Sequence, residues 1–308
     1  MNAAVSNSMT SAPVVESRAR PVALHRDVLL ATDGSPAAFA ATRFVSALMA
    51  RTPVTTRVLT VVPPPPTIID PVGVGAVFGR TLEEQLGNEV QRQLELCSAT
   101  TWARETAVGS PAAEIVRVAG LRGSDLVVLG LRPHALLDRV FRDETALSVM
   151  RNAAVPVLAV TPMLKRVPRR IAVAIDFSRA SIAAARSALA LLDDGGALQL
   201  VYVEPPAEPQ SEETEGYNTI YAQGVAAAFG RLRQELAART TASIETVVLQ
   251  GNVVAELLSF ARRADVDLIA LGSQRHSTAR RAFVGGVTTG LARAATCSLL
   301  VLPPGRCG

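Results

Sequence analysis

Two stretches of this chain share one pattern, in which an aspartate is followed by an unbroken apolar run that ends at a glycine. The first covers residues 125–130 and the second covers residues 267–272. An apolar run without polar alternation is typical of a strand buried on both faces, as in a parallel sheet covered by helices. Open α/β sheets bind ligands at the carboxyl ends of their strands, and a glycine there lets backbone approach a ligand closely. Gly130 and Gly272 therefore mark two candidate sites.

The remainder of the chain repeats at nearly the same spacing. Gly130 and Gly272 lie 142 residues apart, and the aspartates that follow the first strand of each half, Asp33 and Asp176, lie 143 residues apart. Each half alternates strands and helices, which implies parallel βαβ units with right-handed crossovers. A length of 308 residues also suits two domains. The sequence thus predicts a duplicated α/β domain, and a single undivided sheet would contradict that prediction.

Composition limits the classes of partner. The net charge is only +4, the arginines are scattered, and aromatic residues make up 4% of the chain, so neither a basic face nor a stacking surface for nucleic acid is indicated. No stretch is apolar and long enough to cross a membrane. The three cysteines lack metal-ligand spacing and suit reduced thiols. We expect a cytoplasmic protein that binds neither nucleic acid nor membranes.

Proline and glycine residues predict where the second helix begins. Four prolines stop the second strand, and we expect a loop over residues 67–80 followed by a helix over residues 81–99. The loop contains three glycines in the spacing G-x-G-x-x-x-G. They do not form a dinucleotide-binding fingerprint, because that spacing is wrong and because they follow prolines instead of a strand.

The strand ends resemble those of the universal stress protein family. The resemblance covers residues 26–303. In both halves an apolar strand ends in Asp, which is followed by one residue and then by a Ser that caps a helix. The strand-terminal glycines and the closing strands also match. The matching residues are 29–35, 173–178, Gly130, Gly272, 156–160 and 298–302.

This resemblance implies the architecture in detail. Each half is expected to be a doubly wound domain with a five-stranded parallel sheet of order 3-2-1-4-5, flanked by helices. The two domains are expected to pair through their fifth strands as a pseudo-dimer that imitates a family dimer. We place a disordered tail at residues 1–25, domain 1 at 26–162, a linker at 163–168 and domain 2 at 169–304.

Family members that bind ATP carry G-x-x-G, nine residues and then G-[ST] after the fourth strand. Glycines there leave N–H groups facing phosphate oxygens, and a helix amino terminus favours negative charge. In domain 1, Pro133 stands at the second glycine, and Asp143 and Glu144 stand at the final pair. Two carboxylates would repel a triphosphate by about 1 kcal/mol each at a screened contact. We predict that domain 1 does not bind ATP through this motif and that its Asp33 is a helix-capping acid.

Domain 2 keeps more of the motif. Gly272 is present, Arg275 replaces the second glycine, and Gly285 and Gly286 replace the final pair. Nothing there repels phosphate and the arginine is able to pair with it, although Arg275 and the bulky Phe177 both count against a site. We predict that a nucleotide site, if the chain has one, lies in domain 2. The candidate cofactor-binding residues are Asp176, Phe177, Val203, Gly272, Arg275, Gly285, Gly286, Val287 and Thr288.

The sequence lacks a catalytic constellation. It has no Ser-His-Asp order, nucleophile elbow or defensible carboxylate pair. His134 and His276 recur at the repeat spacing. We interpret them as solvated loop residues, with phosphate or proton chemistry as the alternative and no partners for a metal.

We therefore expect a stress-response module that is regulatory and not an enzyme, with slow ATP hydrolysis left open. Its candidate ligand and cofactor is ATP or another adenine nucleotide in domain 2, and it would act by a ligand- or partner-dependent population shift. The alternative is a nucleotide-independent scaffold that binds an unidentified protein partner. Homodimerisation of the tandem chain is a further candidate assembly.

Overall fold

The computed structural model describes residues 25–64, 74–132, 144–204, 212–273 and 286–304, in which strands and helices alternate. The strands are β1 (Asp27–Ala31), β2 (Thr55–Val62), β3 (Ala103–Val108), β4 (Leu126–Gly130), β5 (Val157–Val160), β6 (Arg170–Ala174), β7 (Ala197–Glu204), β8 (Ser243–Gln250), β9 (Leu268–Gly272) and β10 (Ser298–Leu302). The helices are α1 (Pro36–Met49), α2 (Val74–Leu96), α3 (Pro111–Arg122), α4 (Glu144–Asn152), α5 (Arg179–Leu191), α6 (Glu212–Ala237), α7 (Val253–Arg263) and α8 (Gly286–Ala294).

The strands form one sheet in the order β3-β2-β1-β4-β5-β10-β9-β6-β7-β8. All pairs within a half are parallel, whereas β5 and β10 pair antiparallel, with Leu300 opposite Leu158. The predicted order 3-2-1-4-5 and the pairing through the fifth strands are confirmed. The sheet is continuous, but it is not the undivided sheet that would contradict a duplication, because strand direction reverses at the join and each half is complete.

Alternate residues of each strand point to opposite faces and bury two apolar clusters. Leu30 belongs to the cluster under α1, α2, α5 and α6, which we call the α1/α5 face. Leu29 belongs to the cluster under α3, α4, α7 and α8, which we call the α3/α7 face. Both leucines are fully buried. The unbroken apolar runs in the sequence are thus explained by helices that cover both sides of the sheet.

Helix α2 begins at Val74, seven residues before the predicted start, so the predicted loop over residues 67–80 is wrong from residue 74 onward. The helix includes Gly79 and Gly87, where an added Cβ would meet no atom within 4 Å. Each glycine costs about 1 kcal/mol in a helix. Packing of the same helix on the sheet through Val90 and Leu94, which are 3% and 0% exposed, outweighs that cost.

Side chains also connect the two domains at the join. His25, which we assigned to the tail, is buried, and its Nε2 lies 2.9 Å from the Oγ of Ser187 on α5. The backbone N–H of Thr161 donates to the Oγ of Ser298 at 3.1 Å. Ordered, buried chain therefore starts no later than His25. None of the helices in the described ranges has the length and hydrophobicity needed to span a membrane.

Candidate functional site

The same polar turn follows the first strand of each domain. In domain 1 the Oδ1 of Asp33 accepts a hydrogen bond from the N–H of Ser35 at 2.9 Å, and in domain 2 the Oδ1 of Asp176 accepts from the N–H of Ser178 at 2.9 Å. Each serine then caps the helix that follows. Both aspartates are exposed. In both domains an aspartate oxygen therefore shapes the turn at the carboxyl edge of the sheet.

The residue between the aspartate and the serine has left-handed backbone in both domains. Its φ is +75° at Gly34 and +58° at Phe177. Glycine adopts this conformation readily, whereas a residue with a Cβ is strained there by roughly 1–2 kcal/mol. The fold thus imposes one backbone path on both copies, and domain 2 tolerates the strain of a phenylalanine.

In domain 1 the long helix α2 is tied directly to this turn. A Cβ added to Gly34 would lie 2.5 Å from the Cβ of Glu89 on α2. The buried Gln93, one turn further along, donates through Nε2 to the carbonyl oxygens of Gly34 at 2.5 Å and Ser35 at 2.9 Å. Its Oε1 accepts from the Oγ1 of Thr32 at 3.2 Å. This one amide therefore fixes the helix above the turn.

In domain 2 an aromatic cluster makes the corresponding connection. The ring of Phe177 lies with its centroid 5.1 Å from that of Phe229 on α6, at 73°, and 5.5 Å from that of Tyr202 on β7. The Tyr202 hydroxyl hydrogen-bonds that of Tyr221. Burial, reinforced by this hydrogen bond, raises the pKa of Tyr202 to about 12. Phe177 is thus part of the α1/α5 face, opposite the face to which Val203 belongs.

Gly130 and Gly272 are required for packing. A Cβ at Gly130 would lie 2.5 Å from the carbonyl carbon of Ala37 in α1, and a Cβ at Gly272 would come as close to Ala180 in α5. The backbone that approaches these glycines is that of the helix after the first strand, so both have a role in packing. The expectation that they also let backbone approach a ligand stays a prediction.

A cavity of about 640 Å³ lies at the carboxyl edge of domain 1, among the ends of β1, β2 and β4 and helices α2, α3 and α4. Its lining is mostly apolar, with a few polar residues at the turn and beyond β4. The polar lining residues are Thr32, Asp33, Ser35, Arg132 and Thr145. Sequence reasoning missed this cavity because it compared the phosphate motif alone. The available signal was Leu82 and Leu86, one turn apart on α2, which both line it.

The domain 2 candidates are only partly brought together. Val203 and Val287 are half-buried on the α3/α7 face, and Gly286 is exposed at the start of α8. Thr288 is 2% exposed, so its hydroxyl lies inside the domain. Gly272 ends β9, as described above. The equivalents of Gly272 and Val287 in domain 1, which are Gly130 and Thr145, line a single cavity.

Several predicted residues lie outside the described part of the chain. These residues are Pro133, His134, Asp143, Arg275, His276 and Gly285. Glu144 is the first residue of α4, in the position that Gly286 has in α8. Within the described ranges, no group of three or more His, Cys, Asp or Glu side chains is placed to hold a metal ion.

The structure is a doubly wound pseudo-dimer, and comparison with known proteins gives its class. The model of the universal stress protein family matches residues 25–161 and 168–303, so this chain is a tandem member of that family. No curated protein matches the sequence.

Solved structures with the same fold include a universal stress protein from Archaeoglobus fulgidus DSM 4304. The similarity covers 91% of this chain and 98% of that one, with 17% identity and a TM-score of 0.64. A putative universal stress protein from Pseudomonas aeruginosa UCBPP-PA14 is 14% identical over 91% of this chain and 94% of its own, with a TM-score of 0.55. At such identities the likeness shows the fold alone.

Proposed function

We propose that this protein is a regulatory module that binds ATP or another adenine nucleotide in domain 2 and does not turn it over. The observation that carries the proposal is the start of α8. Gly286 is exposed there, and an added Cβ would meet no atom within 4 Å. Helix amino termini attract phosphate groups through their N–H donors and the helix dipole. Domain 1 has a glutamate, Glu144, as the first residue of α4, where domain 2 has the uncharged Gly286.

The position of Phe177 adds support. Its ring packs against Phe229 and Tyr202 on the α1/α5 face, so it does not crowd the half-buried Val203 and Val287 on the other face. Partly exposed valines next to an exposed helix start offer an apolar surface for a base and donors for phosphates. The nucleotide is therefore proposed for the α3/α7 face of domain 2.

Regulation would follow from a link between this edge and domain 1. On α8, the Oγ1 of Thr289 accepts a hydrogen bond from the Nη2 of Arg151 on α4 at 3.3 Å. A ligand shifts a conformational equilibrium toward the state that it binds better. Movement of α8 on nucleotide binding would thus change this contact between the domains. A partner protein could then recognise the altered conformation without any chemical step.

Calorimetric titration with ATP and Mg²⁺ tests the proposal. We expect the wild-type protein to bind ATP. Gly286→Asp should bind it at least tenfold more weakly, because the added carboxylate repels phosphate. Gly286→Asn, which has the shape of aspartate but no charge, should keep an affinity within about threefold of wild type. An aspartate at a helix start favours the helix, so lost binding would not reflect lost folding. A flat wild-type isotherm contradicts nucleotide binding, and ADP formation above the uncatalysed background contradicts the absence of turnover.

A second candidate function is the nucleotide-independent scaffold, which the outer edge of domain 2 favours. Strand β8 ends the sheet, and terminal strands present unpaired backbone groups to partners. Beside it, α6 and β8 border a groove of about 350 Å³, with Val248 50% exposed and Ile220 71% exposed nearby. Native mass spectrometry of freshly purified protein separates the functions. A co-purified nucleotide counts against the scaffold, and a dimer or bound protein favours it.

A cytoplasmic location remains part of the proposal. In the described ranges the cysteines are Cys97 and Cys297, and both are free thiols. Burial raises the pKa of Cys297 to about 11, which keeps it protonated and unreactive. Unpaired thiols are typical of a reducing compartment.

A further inference from the structure

The cavity in domain 1 differs in character from the site proposed for domain 2. Its volume of about 640 Å³ falls in the range of small-molecule sites, which is roughly 300–1,000 Å³. Leucines, valine and isoleucine from three different layers form its walls, namely Leu59 and Val61 from the sheet, Leu82 and Leu86 from α2, and Ile115 from α3. Leu82 and Leu86 are only half-buried, so a ligand would cover apolar surface that the fold leaves uncovered.

Two hydroxyl groups of the same wall hydrogen-bond within the fold. Thr32 donates from Oγ1 to Gln93 at 3.2 Å and accepts from the N–H of Gly34 at 3.2 Å. The Oγ of Ser35 accepts from the N–H of Ala38 at 3.3 Å, as the cap of α1. The Thr32 hydroxyl is therefore engaged as both donor and acceptor, and the Ser35 oxygen is engaged as the cap of α1.

The charged lining residues in the described ranges balance each other. Asp33 lines the cavity after β1 and Arg132 lines it after β4, and both are exposed. An anion that enters an apolar cavity loses hydration, which only surplus positive charge or strong hydrogen bonds compensate. The described part of the rim, with one charge of each sign, has no such surplus.

We propose that domain 1 binds an uncharged, largely apolar small molecule in this cavity. The chain would then carry two sites of different chemistry, one for a phosphorylated ligand in domain 2 and one for a neutral ligand in domain 1. The apolar walls drive binding by removing hydrophobic surface from water, and the balanced rim excludes anions. This inference concerns the other domain and does not require that the nucleotide proposal be correct.

Two fluorescent probes that differ by one charged group test it. N-phenyl-1-naphthylamine is neutral, and 8-anilinonaphthalene-1-sulfonate is the same aromatic framework with a sulfonate. We expect the neutral probe to bind the full chain saturably, with enhanced fluorescence, and the sulfonate to bind at least tenfold more weakly. Equal affinities, or no saturable binding of the neutral probe, would overturn the proposal.

A matched pair of variants assigns the binding to a domain. Thr145 lines the cavity from α4, and Val287 is its equivalent in α8. Thr145→Trp fills the cavity and should abolish binding of the neutral probe, whereas Val287→Trp should leave it unchanged while it weakens ATP binding in domain 2. If Val287→Trp lost binding of the neutral probe and Thr145→Trp kept it, the assignment to domain 1 would be refuted. The effect of Val287→Trp on ATP binding would then be judged separately.

A third variant keeps the test informative if Thr145→Trp does not fold. Asp33→Asn retains the side-chain oxygen that accepts from the N–H of Ser35, so the turn is preserved. It also leaves Arg132 as the one charged residue among the described residues that line the cavity. Affinity for the sulfonate should rise about five- to tenfold and affinity for the neutral probe should stay constant. An unchanged ratio of the two affinities would contradict the role given to the rim charges.

Discussion

The turn after the first strand is built in the same way in both domains, but the long second helix docks on it differently. In domain 1, Gly34 lets α2 come into contact with the turn, and Gln93 hydrogen-bonds the backbone there. In domain 2, Phe177 stands at that place and packs against Phe229 of α6. Both residues have positive φ. Backbone geometry has therefore been retained after duplication, while the attachment of the covering helix has changed from polar to aromatic.

This difference separates what the fold requires from what each copy is able to vary. The strand order, the left-handed turn and the strand-terminal glycines are shared because they determine how the first helix packs on the sheet. The helix attachment and the residue that starts the last helix, Glu144 or Gly286, are not needed for that packing. They are therefore free to set a different ligand chemistry in each domain.

The largest effect is expected at the shared glycines. Gly130→Ala and Gly272→Ala each place a Cβ against helix backbone, which cannot move away as a flexible side chain would. We expect each substitution to lower the free energy of unfolding by about 3 kcal/mol, at the upper end of overpacking effects. Urea denaturation measures it. If one domain tolerates the change, the glycines do not have the same role in both.

Gly120→Ala is the matched control for this prediction. Gly120 is exposed on α3, and a Cβ there would meet no atom within 4 Å. Alanine in a helix is favoured over glycine by about 1 kcal/mol. The same substitution should thus stabilise the protein at Gly120 and destabilise it at the two strand ends.

The halves also differ just before the first strand, where His25 of domain 1 corresponds in sequence to Pro168 of domain 2. Burial lowers the pKa of His25 from 6.5 to about 4, partly opposed by the nearby Asp125. Between these pH values the unfolded chain binds a proton that the folded chain excludes, so stability falls as pH falls from 6.5 to 4. The loss from this group is about 3 kcal/mol at most.

Urea denaturation at several pH values checks the contribution of His25. His25→Gln has no titratable ring, so the difference in unfolding free energy between wild type and variant should shrink toward pH 4 and stay constant above pH 7. Carboxylates that titrate near pH 4 affect both proteins and cancel in the difference. Parallel stability profiles would show that His25 has the same pKa in the folded and the unfolded protein, which contradicts burial of a neutral ring.

Apolar runs such as residues 126–129 and 268–271 were sufficient to predict buried parallel strands. The sheet order and the pseudo-dimer were implied by the resemblance to the universal stress protein family, and the structure confirms both. The sequence was not sufficient for the start of α2. Glycine residues there suggested a loop, but tertiary packing of Val90 and Leu94 overrides local propensity. The packing role of Gly130 and Gly272 was not predicted, because the close approach of a helix to the end of a strand is a property of the assembled fold.

The candidate site was less predictable than the fold for a related reason. The phosphate motif is local in sequence, so Glu144 and Gly286 could be compared directly. The cavity in domain 1 is not local, because it joins residues from β2, α2 and α3. Gln93 was likewise unpredictable, since a glutamine on a mostly exposed helix gives no sign that it will be buried against a turn about 60 residues earlier in the chain.

The smallest of these effects concerns the polar attachment that domain 2 lacks. Gln93→Leu keeps the volume of the side chain but removes the hydrogen bonds to Gly34, Ser35 and Thr32. Buried groups left without partners cost about 1–3 kcal/mol, so we expect a loss of about 2 kcal/mol in urea denaturation. Gln91→Leu on the same helix, whose bonds are to exposed side chains, should change stability by less than about 0.5 kcal/mol.

Hydrogen exchange gives this prediction a readout that lost stability alone would not produce. If Gln93 is the attachment of α2 to the turn, its replacement should speed amide exchange in the turn at Gly34 and Ser35 and in α2, and leave exchange in the corresponding turn of domain 2 unchanged. The aromatic packing of Phe177 is independent of this amide. Equal acceleration in both turns would mean that the two helix attachments are coupled through the sheet, and the separation of the two domains argued above would then fail.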